Sequence, residues 1–183
     1  DNLGFWTTPR SPMKKALLAG AAVVAVAAVG VLVMAAGKPD MITVQRSITA
    51  QATPADVMPH ITDYKNFVVW MPWAAIDPDA TLEFSEPAAG VDAWYTWVGN
   101  DEMGSGKMSI TSVTDAKVMH HLEFFTPFAA EADAPISLAA KGDDQVEITW
   151  AYEQQAAFGD KVMGVFMDMD AMLGADYEKG LSS

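Results

Sequence analysis

The pattern of apolar and polar positions divides the chain into three regimes. Ala16 to Ala36 is a run of 21 residues without a charged or polar side chain. At about 1.5 Å per residue, a helix of that length spans roughly 31 Å, the thickness of one bilayer core. Arg10, Lys14 and Lys15 precede the run, and Lys38 and Pro39 close it. The run predicts a transmembrane helix over 16–36, with Leu17, Val24 and Val31 among its lipid-facing residues. Phe5 and Trp6 are suited to the headgroup layer on the entering side. The rival reading is a cleaved signal peptide from Met13, with Ala35–Gly37 as the cleavage site. The run's length opposes it, because signal cores span about 7–15 residues.

After a linker over 37–41 the period changes. Ile42, Val44, Ile48 and Ala50 share one parity, which predicts a first strand interrupted by Arg46. Thr53-Pro54-Ala55-Asp56 reads as a helix start, with the helix stopping near Pro59. Phe67 to Pro78 reads as an aromatic, Pro-rich loop. Strands follow over 81–85, 93–98, 107–113, 118–125, 136–140 and 145–152, with turns at Gly99-Asn100-Asp101 and Gly142-Asp143-Asp144. The last strand is the clearest: Val146, Ile148, Trp150 and Tyr152 alternate with Glu147 and Thr149. From Phe158 to Leu181 the spacing is helical, with Val162, Phe166, Met169, Leu173 and Tyr177 on one stripe. A run of antiparallel strands followed by one long helix is an α+β arrangement. The expected domains are a juxtamembrane segment (1–15), the membrane helix (16–36), the linker (37–41) and one domain (42–183).

Charge and composition narrow the partners. The chain carries −13 overall. Residues 1–38 hold Arg10, Lys14, Lys15 and Lys38 against Asp1 alone, a net +3, so the remainder carries −16. A body of that charge repels phosphates, which argues against nucleic-acid binding and against anionic lipid surfaces. With no Cys, disulfides, zinc–thiolate sites, iron–sulfur clusters and thiol catalysis are excluded. The three basic residues ahead of the apolar run, against Lys38 and Arg46 after it, favour a cytoplasmic N-terminus and a periplasmic or otherwise extracytoplasmic body.

Several stretches together resemble the SRPBCC superfamily, the START-like or helix-grip fold, in its polyketide-cyclase-like branch. They are Trp70-Met-Pro-Trp73, Asp77-Pro78, Tyr95-Thr-Trp97-Val-Gly99-Asn100, Gly104-Ser-Gly106, Leu122-Glu-Phe124, Thr126-Pro-Phe128 and Thr149-Trp150. The run from Lys161 to Asp170 and the one from Gly174 to Gly180 complete the set. The resemblance covers about three quarters of the chain, from Ile42 to Leu181, and the apolar N-terminal helix is an addition to it. It implies a curved antiparallel sheet wrapped around a long C-terminal helix. It also implies a deep hydrophobic cavity under that helix, used for lipids or other apolar ligands. No catalytic set comes with these motifs.

His120 and His121 are adjacent in a strand and point to opposite faces, so they cannot chelate one metal. His120 shares the parity of Val118, Leu122 and Phe124. It is either a polar group that orients a ligand or a core histidine bonded to a neighbour, and the second reading is favoured. Tyr95, Trp97, Trp150 and Tyr152 are strand aromatics that can be cavity wall and core at once. Met163, Phe166 and Met167 join them from the helix as cavity candidates; the adaptable Met side chains suit a pliable lid or ordinary gap filling. Trp70 and Trp73 are expected to be buried, pinning their loop over the cavity mouth. Acid pairs such as Asp143-Asp144 read as solvated turns, and no metal site or cofactor is expected.

Three functions follow in order. The first is a non-enzymatic, membrane-anchored accessory or structural subunit of a larger membrane protein complex, of respiratory or photosynthetic type. It would sit in the bilayer through 16–36, packed inside an assembly of integral-membrane partners, with its acidic body docking on or shielding partner proteins outside the cytoplasm. The second is a tethered binder or carrier of a lipid, quinone or other hydrophobic molecule. The third is a cyclase-like enzyme using His120 and cavity tyrosines.

Overall fold

The computed structural model describes residues 12–183. The chain forms two compact units, one of residues 12–39 with 157–167, the other of residues 40–156 with 168–183. In the first unit, α1 (Pro12–Ala36) is one continuous helix. Its segment Ala16–Ala36 has a mean hydropathy of 2.7 and is long and apolar enough to cross a membrane. Leu17 and Val24 are exposed and Val31 is half-buried. Phe5, Trp6 and Arg10 lie outside the described residues, and only the backbone of Lys14 and Lys15 is described. α4 (Phe158–Phe166) packs on α1 within this unit and still exposes Phe158, Met163 and Phe166.

The second unit is a curved seven-stranded antiparallel sheet in the order β1-β7-β6-β5-β4-β3-β2. The strands are β1 (Met41–Ala50), β2 (Thr81–Phe84), β3 (Trp94–Val98), β4 (Ser105–Thr114), β5 (Lys117–Thr126), β6 (Ala130–Ala140) and β7 (Val146–Gln155). β1 closes on β7 from Met41↔Gln155 to Ala50↔Val146, so the first and last strands are partners. Between β1 and β2 lie α2 (Pro54–Thr62), α3 (Tyr64–Trp70) and a 3-10 turn (Pro72–Ala75). α5 (Met169–Leu181) ends the chain and packs on β1 and on that turn.

Local chemistry explains the boundaries. Thr53 caps α2 in a reciprocal box: its Oγ1 accepts from the Asp56 N–H, and the Asp56 carboxylate accepts from the Thr53 N–H. The helix runs through Pro59 to Thr62, past the expected stop, because Pro59 forgoes only one hydrogen bond, to Ala55. The expected loop after Phe67 begins inside α3, which Asp63 starts by accepting the Lys65 N–H at 2.8 Å. β6 begins six residues earlier than the expected 136. Pro135 hid that start, and the strand accommodates it where pairing with β7 lapses between Asp133 and Ile136.

The expected single helix over 158–181 is two helices. Met167 is extended (φ −122°, ψ 135°), and the Asp168 carboxylate caps α5 by accepting from the Ala171 N–H at 3.1 Å. A short acidic side chain beside the orphan N–H groups of a first turn stabilises a new start more than a continued helix. The apolar stripe is therefore cut: Val162 and Phe166 go with α4, Met169, Leu173 and Tyr177 with α5.

Arg46, the break in the first strand's apolar parity, has a structural use. Its guanidinium donates to both Asp170 carboxylate oxygens (2.9 and 3.0 Å) and to Glu178 (2.7 Å), tying β1 to α5. The Asp170 hydrogen bonds raise the Arg46 pKa and hold the Asp170 carboxyl below the usual carboxylate range. The guanidinium lies against Gly174, where a Cβ would overlap it. Gly174→Ala should therefore destabilise the body by about 1–3 kcal/mol, the usual cost of overpacking. Gly164→Ala on α4, where a Cβ meets open space, should be neutral or stabilising by up to about 1 kcal/mol. Urea unfolding of the two variants checks the contrast.

Candidate functional site: a cavity between the sheet and the C-terminal helix

Inner-face residues of β3, β4 and β5, the segment 68–82 and α5 enclose a cavity of about 380 Å³. Aromatic rings dominate its wall: Trp73, Tyr95, Trp97, Phe124, Tyr152 and Tyr177. The alternation of β3 delivers Tyr95 and Trp97 inward, each 8% exposed, while Thr96 points away. Gly106 lets Trp97 lie flat on β4, since a Cβ there would overlap the indole. Met108 and Leu122 fill the floor, and Leu173 and Tyr177 descend from α5.

Pro78, Leu82 and Glu102 are exposed lining residues and mark the rim. One residue ties it together. The Asn100 N–H donates to Asp77 Oδ2 at 2.7 Å, and Asn100 Oδ1 accepts the N–H groups of Glu102 and Met103 at 3.0 Å each. Two sequence motifs that are far apart in the chain, Asp77-Pro78 and Gly99-Asn100, therefore form one rim.

The polar inventory of the cavity is narrow. Asp77 and Glu102 are its carboxylates, and among the described residues no Lys, Arg or His lines it. Tyr152 donates its hydroxyl to Gln154 Oε1 at 2.7 Å, and Trp73 donates its indole N–H to Asp176 at 3.2 Å. The Tyr95 and Tyr177 hydroxyls have no hydrogen-bond partner among the described residues. Burial pushes both phenols well above their ordinary pKa, so both are neutral donors.

Five of the expected cavity residues meet here: Tyr95, Trp97, Leu122, Phe124 and Tyr152. His120 and Trp150 do not line the cavity; they lie in the packed core behind it. His120 is fully buried, its Nδ1 is 3.1 Å from the Tyr64 hydroxyl, and its ring stacks on Phe67 at 5.0 Å. Burial drives its pKa down to about 3, so it is a neutral imidazole. His121 is on the outer face, with Nδ1 at 2.9 Å from Asp133. Met163, Phe166 and Met167 belong to the first unit, and the cavity lies within the second. The spacing argument assumed one uninterrupted helix, which the break at Met167 divides. Trp70 and Trp73, both expected to be buried, are half-buried: Trp73 is a wall residue of the cavity, and Trp70 packs edge-on against Phe67 and Trp150. The sequence alone did not mark Asp77, Glu102, Met103 or Leu82 as cavity residues; they reach the cavity through the rim loops and edge strand. The Asp77-Pro78 pair was the one visible signal for them.

No protein-family model and no curated protein matches the sequence. Solved structures do resemble it. Norcoclaurine synthase of Thalictrum flavum, a point mutant in complex with a transition-state analogue, has a TM-score of 0.58 and 11% identity over 78% of this chain and 92% of that chain. A hypothetical protein of Helicobacter pylori has a TM-score of 0.54 and 12% identity, over 99% of this chain and 96% of that one. DynU16, a putative protein from the dynemicin biosynthetic locus, has a TM-score of 0.51 and 14% identity over 79% of this chain. The match covers 47% of DynU16, so the chain spans about half its length. At these identities the likeness is one of fold: the body has an α+β helix-grip fold, a curved antiparallel sheet with a C-terminal helix.

Proposed function

We propose that this protein is a membrane-tethered binder of a small, neutral, ring-containing apolar molecule. The observation that carries the reading is the cavity of about 380 Å³, within the size range of small-molecule sites. Its aromatic walls favour a flat ring system. The two unpartnered phenols are donors, so the ligand should bring an acceptor such as a ring carbonyl, as a quinone does. Asp77 and Glu102 at the rim, with no basic residue among the described lining residues, disfavour a fatty acid or any other anion, whose charge would be desolvated without a partner. The polyketide-cyclase-like resemblance is consistent with a ring-shaped ligand but supplies no reaction here.

α1 is the tether in this reading, with the N-terminus cytoplasmic and the acidic body outside, as the order of basic residues suggests. A role as accessory subunit in a membrane complex draws only on the exposed length of α1, which lipid covers as well as a partner helix does. The binder reading uses both the helix and the cavity.

The test uses full-length protein purified in mild detergent. A short-tailed quinone should bind and quench Trp73 and Trp97 fluorescence. An alkanoate of matched length should bind at least several-fold more weakly. Ala80→Trp, which fills the cavity from its lining, should abolish quinone binding while leaving the unfolding transition in place. Equal binding of quinone and alkanoate, or quinone binding unaffected by Ala80→Trp, would overturn the proposal.

A further inference from the structure

The two ends of the sheet differ in kind. The register places Met41 beside Gln155, Glu153 beside Asp133, Ala130 beside Phe124, Thr126 beside Ser105, and Ser105 beside Val98. These residues therefore share one end. Apolar side chains are exposed there, most of all Val98 at 59%, Phe125 at 51% and Phe128 at 79%. Phe125 is an outward-turned bulge residue, because Ser105 opposes Thr126 while Gly106 opposes Phe124. At the other end the tips are charged, with Asp115 in the turn that leads to Lys117 at the start of β5, and Lys141, Asp143 and Asp144 in the next turn.

Chain connectivity says which medium the apolar end meets. α1 ends at Ala36 and β1 begins at Met41 at this same end. The five residue steps from Ala36 to Met41 reach no further than about 18 Å when fully extended. Whatever surface α1 emerges from lies within that reach of the point where β1 begins. The cavity rim is at this end too, since the segment before Thr81 and the connection from Val98 to Ser105 both belong to it.

We propose that the Phe125–Phe128 turn, with Val98, inserts into the bilayer that α1 spans and holds the cavity rim against it. The inference rests on reading α1 as a membrane tether and is independent of which ligand the cavity takes. Aromatic side chains at a loop tip suit the interfacial layer, where apolar rings are buried beside polar headgroups. Asp101 and Glu102 on the neighbouring loop select a zwitterionic bilayer over an anionic one. An apolar ligand then passes between lipid and cavity without crossing water.

The absence of Cys in the sequence makes the test clean. Full-length Phe128→Cys and Asp115→Cys, each labelled with the environment-sensitive fluorophore NBD, are reconstituted into phosphatidylcholine vesicles. The label at 128 should shift to the blue and be quenched several-fold more by doxyl-labelled lipid than the label at 115. Adding Phe125→Glu should reduce the quenching at 128 while the protein still floats with the vesicles. A water-exposed label at 128 in floating protein overturns the proposal, as does equal quenching at both positions. Failure to float overturns the tether reading itself, and this inference with it.

Discussion

Replacing Trp150 by Ala is expected to cost about 3–5 kcal/mol, the range for removing a large buried aromatic. A domain of this kind has only about 5–15 kcal/mol in total, so the variant should be close to unfolding at room temperature. Trp150 is fully buried at the centre of an aromatic cluster. Its ring lies parallel to Tyr177 with centroids 3.8 Å apart, and Trp70 and Trp73 meet it edge-on at 5.3 and 5.8 Å. It thereby joins β7, α3, the 3-10 turn and α5. At Gly180 the α5 backbone comes so close that a Cβ would sit 3.1 Å from the indole and from Pro72. Trp150→Phe should be far milder. It keeps much of the ring contact and removes an indole N–H that is buried without a hydrogen-bond partner. Urea unfolding of both variants decides the matter; equal losses would mean that the ring contact retained by Phe contributes nothing to stability. Because Tyr177 is also cavity wall, Trp150→Ala should weaken ligand binding as well, although Trp150 itself touches no ligand.

The second large effect is a dependence of stability on pH that originates at His120. Its folded-state pKa is about 3, and the unfolded value is near 6.5. Between those values the unfolded chain binds a proton that the folded chain does not. Stability is therefore complete above about pH 6.5 and falls as the pH drops toward 3, by up to about 1.4 kcal/mol per pH unit. Unfolding free energies at pH 7, 6, 5 and 4.5 should show that slope, and His120→Leu should remove most of it. Asp56 and Asp170, whose carboxyls are held below their ordinary range, add their own loss only in more acidic solution. A slope unchanged in His120→Leu would show that the imidazole is not the titrating group.

The same residue makes a second measurement informative. Nδ1 faces the Tyr64 hydroxyl, and Nε2 has no partner. At neutral pH His120→Leu strands the Tyr64 hydroxyl in the core, at about 1–3 kcal/mol. The double variant with Tyr64→Phe removes both polar groups and should recover part of that loss. A histidine of this kind is a core residue with an internal bond, the plainer of the two readings of its position.

The parity of β1, β3, β5 and β7 was legible in the sequence because alternation is a local property of strands half covered on one side. It placed Tyr95, Trp97, Leu122, Phe124 and Tyr152 inward, and all five line the cavity. Parity states which face a residue is on and not how deep it lies. For that reason it also nominated His120 and Trp150, which other rings cover completely. The helix stripe failed for a different reason. Spacing of three and four assumes an unbroken helix, and the cap at Asp168 competes locally with propagation.

By itself, then, the sequence determined what depends on near neighbours and on counting: an apolar α1, alternating strands, the cap at Thr53, the split of charge at the end of the apolar run, and the chemistries closed by the lack of Cys. Tertiary structure alone decided what depends on residues distant in the chain. It brought Arg46 to Asp170 and Glu178 across more than a hundred residues, joined Asp77 to Asn100 at the rim, and gathered Val98, Phe125 and Phe128 at one end of the sheet. Such pairings are set by strand order and register. These arise from the closure of β1 on β7 over the whole chain, and no window of neighbouring residues contains them.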